Sequence, residues 1–202
     1  MISGKRFAKH PLQSLAAAIA LCALVLALGA CSSLSRSRTD EASRSQTASQ
    51  TPSPKAGDDA PDVALLDASS DRIIKLSDYR GQVVFMEFWS SVSAPCLNAI
   101  ADCDLLAIRH KTDWASKAVI VGVSLDDKRE VLQENLRLNR WTHMPQLWAA
   151  IPSPGSNSTA KRTYNVTTLP TAFLVSPDGR ILWRGHPKEI NIEREIAKLI
   201  SK

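Results

Sequence analysis

The chain has 202 residues, 44% apolar and 22% charged, enough for one domain with a packed core once the N-terminal stretch is set aside. The first thirty residues hold Lys5, Arg6 and Lys9 and no acid, so the remainder carries 22 basic against 20 acidic residues, a net charge of about +2. No basic cluster survives of the kind that grips nucleic acid, and small-molecule or protein partners are expected instead.

Residues 1–30 read as a targeting segment: a basic start, then Leu12 to Leu28 apolar and free of charge. Leu28-Gly-Ala-Cys31 follows and resembles the bacterial lipobox, which implies that Cys31 carries a diacylglyceryl thioether and becomes the mature N-terminus. Several acyl chains at about 0.8 kcal/mol per buried CH₂ hold a protein to a membrane essentially permanently. Ser32 after the cysteine implies, by the same resemblance, the outer membrane in preference to the inner. The competing reading is an uncleaved signal anchor, since the apolar run approaches the ~20 residues that span a bilayer. Residues 31–60 are rich in Ser, Thr, Arg, Gln and Asp with almost nothing apolar, and are expected to be a disordered tether. Its typical reach would be roughly 30 Å.

A folded domain is expected over 61–202. Val63 to Leu66 and Ile73 to Leu76 read as a hairpin around Asp67-Ala-Ser-Ser-Asp-Arg, and Leu76 to Gly81 as one helical turn ended by glycine. Val83 to Trp89 is a continuous apolar run, the pattern of a strand covered on both faces, broken only by Glu87. A polar turn leads to Ser93-Ala-Pro-Cys96, which opens a helical pattern to about His110. A buried strand that delivers a thiol to a helix N-terminus suits redox chemistry, because the dipole and free N–H groups favour thiolate.

Glu87-Phe88-Trp89-Ser-Ser-Val-Ser93-Ala-Pro-Cys96 resembles the acid-Phe-Trp-x-x-x-Cys-x-x-Cys active site of thioredoxins and their membrane-anchored TlpA-like relatives. The resemblance implies an α/β, thioredoxin-like fold: a central mixed sheet flanked by helices, with an N-terminal hairpin extension. It also places Ser93 on the family's attacking cysteine, Cys96 on the resolving cysteine and Glu87 on the buried acid that moves its proton. Where the family has a basic residue, an acid and a kinking proline after the motif, this chain has Leu97, Ala99 and Ala101. The lead-in also resembles that of the AhpC/TSA (redoxin) proteins, and peroxiredoxins carry Thr/Ser-x-x-Cys at the equivalent helix start. Their proline four residues before the hydroxyl is Trp89 here.

Ala118 to Leu125 is a second fully apolar strand, and Asp126-Asp127 is expected to cap a helix to about Asn139. Strand, helix, strand, helix implies parallel pairing. Trp141 to Trp148 reads as a short extended piece, 151–158 as a loop, and Thr159 to Tyr164 as a helical turn or two. Thr171 to Ser176, Pro177-Asp-Gly-Arg180 and Ile181 to Arg184 form a hairpin, and Asn191 to Ser201 an amphipathic closing helix. Val-Thr-Thr-Leu-Pro170-Thr-Ala-Phe-Leu-Val resembles the family's cis-proline segment, which implies that Leu169, Pro170 and Trp89 line a peptide groove beside Ser93 and Cys96.

Each candidate has a plainer reading. Cys96 is a monothiol able to form a sulfenic acid or a mixed disulfide, or a small buried hydrophobe. Ser93 cannot form disulfides and is a good helix N-cap; as a nucleophile it would need a base, and neither His110 nor His143 sits in a hydrolase motif. Glu87 is a buried acid with a raised pKa, or faces a polar cleft. Cys103 reads as plain burial. Seven helical residues separate it from Cys96 by about 10.5 Å, too far for a disulfide, which rarely spans more than ~7 Å. No metal or cofactor is expected, and the Asn157 and Asn165 sequons read as chance. Three functions stay open: an envelope lipoprotein that binds proteins or thiol ligands with Cys96 as a monothiol, a peroxiredoxin-like thiol peroxidase, and a redox-inactive adaptor.

Overall fold

The computed structural model describes residues 52–149 and 158–201. The targeting segment, Cys31 and most of the tether lie outside the described residues, as does most of the 151–158 loop; among the described residues no helix is long and apolar enough to cross a membrane.

The first hairpin pairs β1 (Ala64–Asp67) antiparallel with β2 (Ile73–Lys75). Its loop is nucleated by Asp67, whose Oδ1 accepts from the backbone N–H of Ser69 at 2.9 Å and of Ser70 at 2.8 Å. A 3-10 turn, Leu76–Tyr79, leads to Gly81, which has φ +85°, a conformation that glycine adopts at little cost. The central strand β3 (Val83–Trp89) is buried at every position. Helix α1 (Ala94–Arg109) follows, with Ser93 at the N-cap and Pro95 in the first turn, where its missing N–H costs nothing. A short helix α2 (Lys111–Trp114), absent from the sequence reading, turns the chain into β4 (Ala118–Ser124).

Helix α3 (Arg129–Asn139) begins later than the expected Asp126-Asp127 cap, and its N-cap is Lys128. Asp126 is engaged elsewhere, as described below. Arg129 ties this helix to the first hairpin, donating from Nη2 to Asp67 O at 3.0 Å and from Nη1 to Asp71 Oδ1 at 2.8 Å. Then come β5 (Gln146–Trp148), α4 (Thr159–Thr163) capped by Ser158, and the hairpin β6 (Thr171–Val175) and β7 (Ile181–Gly185). Helix α5 (Ile192–Ile200) closes the domain, with Asn191 accepting from Arg194 N–H at 2.9 Å.

The seven strands form one mixed sheet in the order β2-β1-β5-β4-β3-β6-β7. β3, β4 and β5 run parallel, and the pairs β3–β6, β6–β7, β1–β5 and β1–β2 are antiparallel. The period-2 alternation of β3 sorts its side chains: Val84, Met86 and Phe88 enter one core layer with Tyr164 and Phe173, while Val83, Phe85 and Trp89 enter the other, under α1 and α5. The domain starts before residue 61. Gly57 N–H donates to Ile181 O at 2.8 Å and Ala60 N–H to Gly179 O at 2.9 Å, so the end of the expected tether is pinned along β7.

Phe88, Tyr164 and Phe173 pack ring against ring at centroid distances of 5.2, 5.8 and 5.0 Å, and none is measurably exposed. Phe173→Ala should therefore lower stability by about 3–5 kcal/mol in urea denaturation. A loss under about 1 kcal/mol would mean that this layer is not close-packed.

Candidate functional site

The site lies at the end of β3 where α1 begins. Both are placed by β-pairing: Trp89 sits beside Ser124 of β4, and Phe88 opposite Thr171 of β6. The residue before Thr171 is Pro170, and the Leu169–Pro170 peptide is cis. The turn that carries it is held by Thr171 Oγ–H donating to Thr168 O at 2.7 Å. Leu169 is half-buried and packs against both core layers, one of which contains Cys96 and Trp89. Register thus brings the 168–170 turn to the sheet end that holds Ser93 and Cys96.

Cys96, the third residue of α1, is fully buried, with no measurable exposure. Burial pushes its thiol up, the Ser93 hydroxyl and the Ser90 backbone favour the thiolate and offset part of this, and the negative charge of Glu87 and Asp126 opposes it again. Ser93 is the N-cap by position, its backbone C=O accepting from Leu97 N–H at 3.0 Å, but its side chain makes no capping hydrogen bond and lies where it favours the Cys96 thiolate.

Glu87 lies in the middle of β3, fully buried, and does not face solvent or a polar cleft. The Cys103 thiol donates to its Oε2 at 3.2 Å, while Oε1 has no partner among the described residues. Burial raises its pKa from 4.5 to about 8, with Asp102 adding to the rise and the Cys103 hydrogen bond working against it. Cys103 is pushed well up by burial and by the nearby Glu87 charge. It is thus more than the plain core residue expected from sequence: among the described residues it supplies the one hydrogen bond that the Glu87 carboxyl receives. Cys96 and Cys103 are both free and stand on one unbroken helix.

Two further residues shape the site, and sequence reasoning assigned neither to it. Asp126, 4% exposed, accepts at Oδ1 from Ser90 Oγ at 2.8 Å, Ser91 N–H at 2.8 Å and Ser91 Oγ at 2.9 Å, and at Oδ2 from Ser124 Oγ at 2.9 Å. It clamps the loop between β3 and α1 to the end of β4. Gln146 accepts from Trp89 Nε1–H at 3.2 Å. Trp89 is also corrected by the structure. It is completely buried and packs edge-on to Trp141 at 6.0 Å, so it cannot line an open groove. The exposed surface beside the site is made by Val92, Ala94 and Pro95, with Leu169 partly open.

The fold and sequence place the chain among known proteins. The model described as the AhpC/TSA family matches residues 56–184. The chain is 27% identical over 126 residues to the thiol-disulfide oxidoreductase ResA of Bacillus subtilis (strain 168), covering 62% of this chain and 64% of that protein, so it spans less than two thirds of that relative. Of the solved structures, that of a protein described as thiol:disulfide interchange protein DsbE from Chlorobium tepidum aligns with a TM-score of 0.62 at 25% identity, covering 73% of this chain and 99% of the other. A thiol-disulfide oxidoreductase from Bacteroides fragilis NCTC 9343 aligns with a TM-score of 0.58 at 26% identity, covering 71% and 98%.

The buried carboxyl makes stability depend on pH. A carboxyl with pKa 4.5 when unfolded and about 8 when folded holds its proton more tightly in the native state. Its neutral form fits the core at low pH, and native stability falls as pH rises through this window, by about 1.4 kcal/mol per unit of separation. Glu87→Gln should therefore match the parent at pH 4.5 and exceed it at pH 8 by an amount on the order of several kcal/mol in urea denaturation. Equal stability at both pH values would show that Glu87 ionises freely.

Proposed function

The chain belongs to the AhpC/TSA family, and within it we propose an envelope-anchored, thiol-disulfide-oxidoreductase-related protein that lacks the attacking cysteine and works through Cys96 and the Leu169–Pro170 edge. The observation that carries this reading is the placement of one buried thiol, Cys96, at the start of α1 beside the cis Leu169–Pro170 turn, with the Ser93 hydroxyl set against it. A dithiol enzyme attacks with its exposed sulfur and resolves with the shielded one. Serine at position 93 removes the first step and leaves the second residue in its shielded place.

Cys96 then exchanges slowly. Its raised pKa keeps it a thiol at neutral pH, and only the thiolate attacks a disulfide. When it does, the Cys96 sulfur bonds to one sulfur of the partner and the other leaves as thiolate. With no second motif thiol to displace the partner, the mixed disulfide persists. The apolar rim of Val92, Ala94 and Pro95 suits an extended protein segment or a small thiol ligand as the partner. Lipidation at Cys31 would hold the domain to the membrane, facing the periplasm. The peroxidase alternative draws on the family match but needs a reactive thiolate, and burial of Cys96 opposes that.

In the full chain, turnover of insulin disulfides should be absent, and Ser93→Cys should create it. Alkylation of native Cys96 should be slow, accelerate with rising pH, and disappear in Cys96→Ser. Rapid peroxide consumption lost in Cys96→Ser would assign the chain to the peroxidases. A Cys96 untouched by alkylating reagent at every pH would leave an adaptor. Cys31→Ala, expressed in a bacterial host, should lose incorporation of labelled palmitate and leave the membrane fraction. Retention in that fraction would favour the uncleaved signal anchor.

A further inference from the structure

Two buried side-chain polar atoms among the described residues have no hydrogen-bond partner: Glu87 Oε1 and Gln146 Nε2. Gln146 Nε2 is a donor, and Glu87 Oε1 accepts when the carboxyl is ionised and donates when it carries the acid's proton. Strand register puts them in a single row, Ala172–Glu87–Gly122–Gln146, across β6, β3, β4 and β5. Residues paired side by side in a sheet present their side chains to the same face. That face is the α1 side, since Phe85 and Trp89 of β3 and Ile120 of β4, each two residues away, enter the layer that contains Cys96 and Cys103.

Between the two orphan groups the row holds only glycine. A Cβ at Gly122 would lie 2.2 Å from Gln146 Oε1 and 3.0 Å from Nε2, so the amide occupies the space that any other residue would fill. The orientation of that amide is fixed by Trp89, whose Nε1–H needs an oxygen, and this turns the NH₂ group away as the free donor. Two strand spacings of about 4.8 Å separate the backbones of Glu87 and Gln146, leaving their side chains to meet over Gly122. Gln146 also lines a cavity of about 540 Å³ with Ser69, Gln133, Leu136, Trp141 and Met144, which opens the row toward solvent.

We propose that a buried water bridges Glu87 Oε1 and Gln146 Nε2 over Gly122, making Gln146 a positioning residue that governs the protonation of Glu87 and connects it to the cavity beside Trp141. A buried water takes two to four polar partners, and this position offers an acceptor, a donor and a path to further water. The carboxylic acid passes its proton to the bridging water as that water hands one of its own to the next in the cavity. The reverse passage reloads Glu87. Around Glu87, α1 contributes the Cys103 thiol, the Cys96 thiol and the charge of the exposed Asp102, α5 packs Ile192 and Ile196 into the same layer, and Gly122 of β4 and Ala172 of β6 flank it in the sheet. Gln146 is therefore the proton-path partner on the side away from the thiols. The inference stands whether or not Cys96 exchanges disulfides.

The test uses the full chain with ¹³C-labelled glutamate carboxyls, the Glu87 signal being assigned by its loss in Glu87→Gln. Gln146→Leu should raise the Glu87 titration midpoint by about one unit or more, because the carboxylate loses a donor relayed through water. In the unsubstituted protein the Gln146 side-chain amide protons should show cross-relaxation with a long-lived water, a measurement that needs no variant to fold. Amide protons that touch no water, or a folded Gln146→Leu with an unshifted Glu87 midpoint, would overturn the proposal.

Discussion

The burial of one carboxyl sets the terms for everything around it. Glu87 stands in the central strand, paired on both sides and covered by α1, so bulk solvent does not reach its charge. Moving an ion into such surroundings costs far more than the one thiol hydrogen bond from Cys103 returns. The carboxyl answers by holding its proton. An apolar residue there would give a more stable sheet, so the acid is held at a cost in stability.

Asp126 shows the opposite solution to the same problem. It is almost as buried, but four donors from Ser90, Ser91 and Ser124 converge on its two oxygens. Saturated in this way, it acts as a clamp that fixes the loop between β3 and α1, and with it the approach to Ser93 and Cys96. Two acids lie within electrostatic reach of one thiol, one short of partners and one fully supplied, and the supply decides their roles.

Much of this was legible in the sequence, for identifiable reasons. Unbroken apolar runs announce β3 and β4, and an acid inside such a run is costly, so Glu87 stands out in the sequence itself. The 166–175 segment resembles the cis-proline stretch closely enough to locate Pro170. What escaped depended on distance along the chain. Asp126 meets Ser90 across 36 residues and Gln146 meets Trp89 across 57, and no local pattern records either approach. An Asp-Asp pair before a helix reads as a cap, so Asp126 was assigned to the nearer role. The resemblance put Trp89 in the groove, but here Trp141 and Gln146 close over it.

The same physics decides what Cys96 can still do. A helix N-terminus contributes about 0.3–1 kcal/mol toward a thiolate in its first turn, which is less than one pKa unit. Burial opposes it and is the largest influence on this thiol. The nearby Glu87 and Asp126 charges act with burial, and the Ser93 hydroxyl and Ser90 backbone return only part of the loss. Position alone would make this a reactive thiol; its surroundings make it a latent one. In a dithiol protein that latency is useful, since the outer cysteine strikes and the inner one waits for the mixed disulfide to reach it. In this chain Ser93 stands at the outer position, and Cys96 lies buried behind the exposed Val92, Ala94 and Pro95. Access past that rim, ahead of the thiol's own acidity, therefore governs what Cys96 can meet.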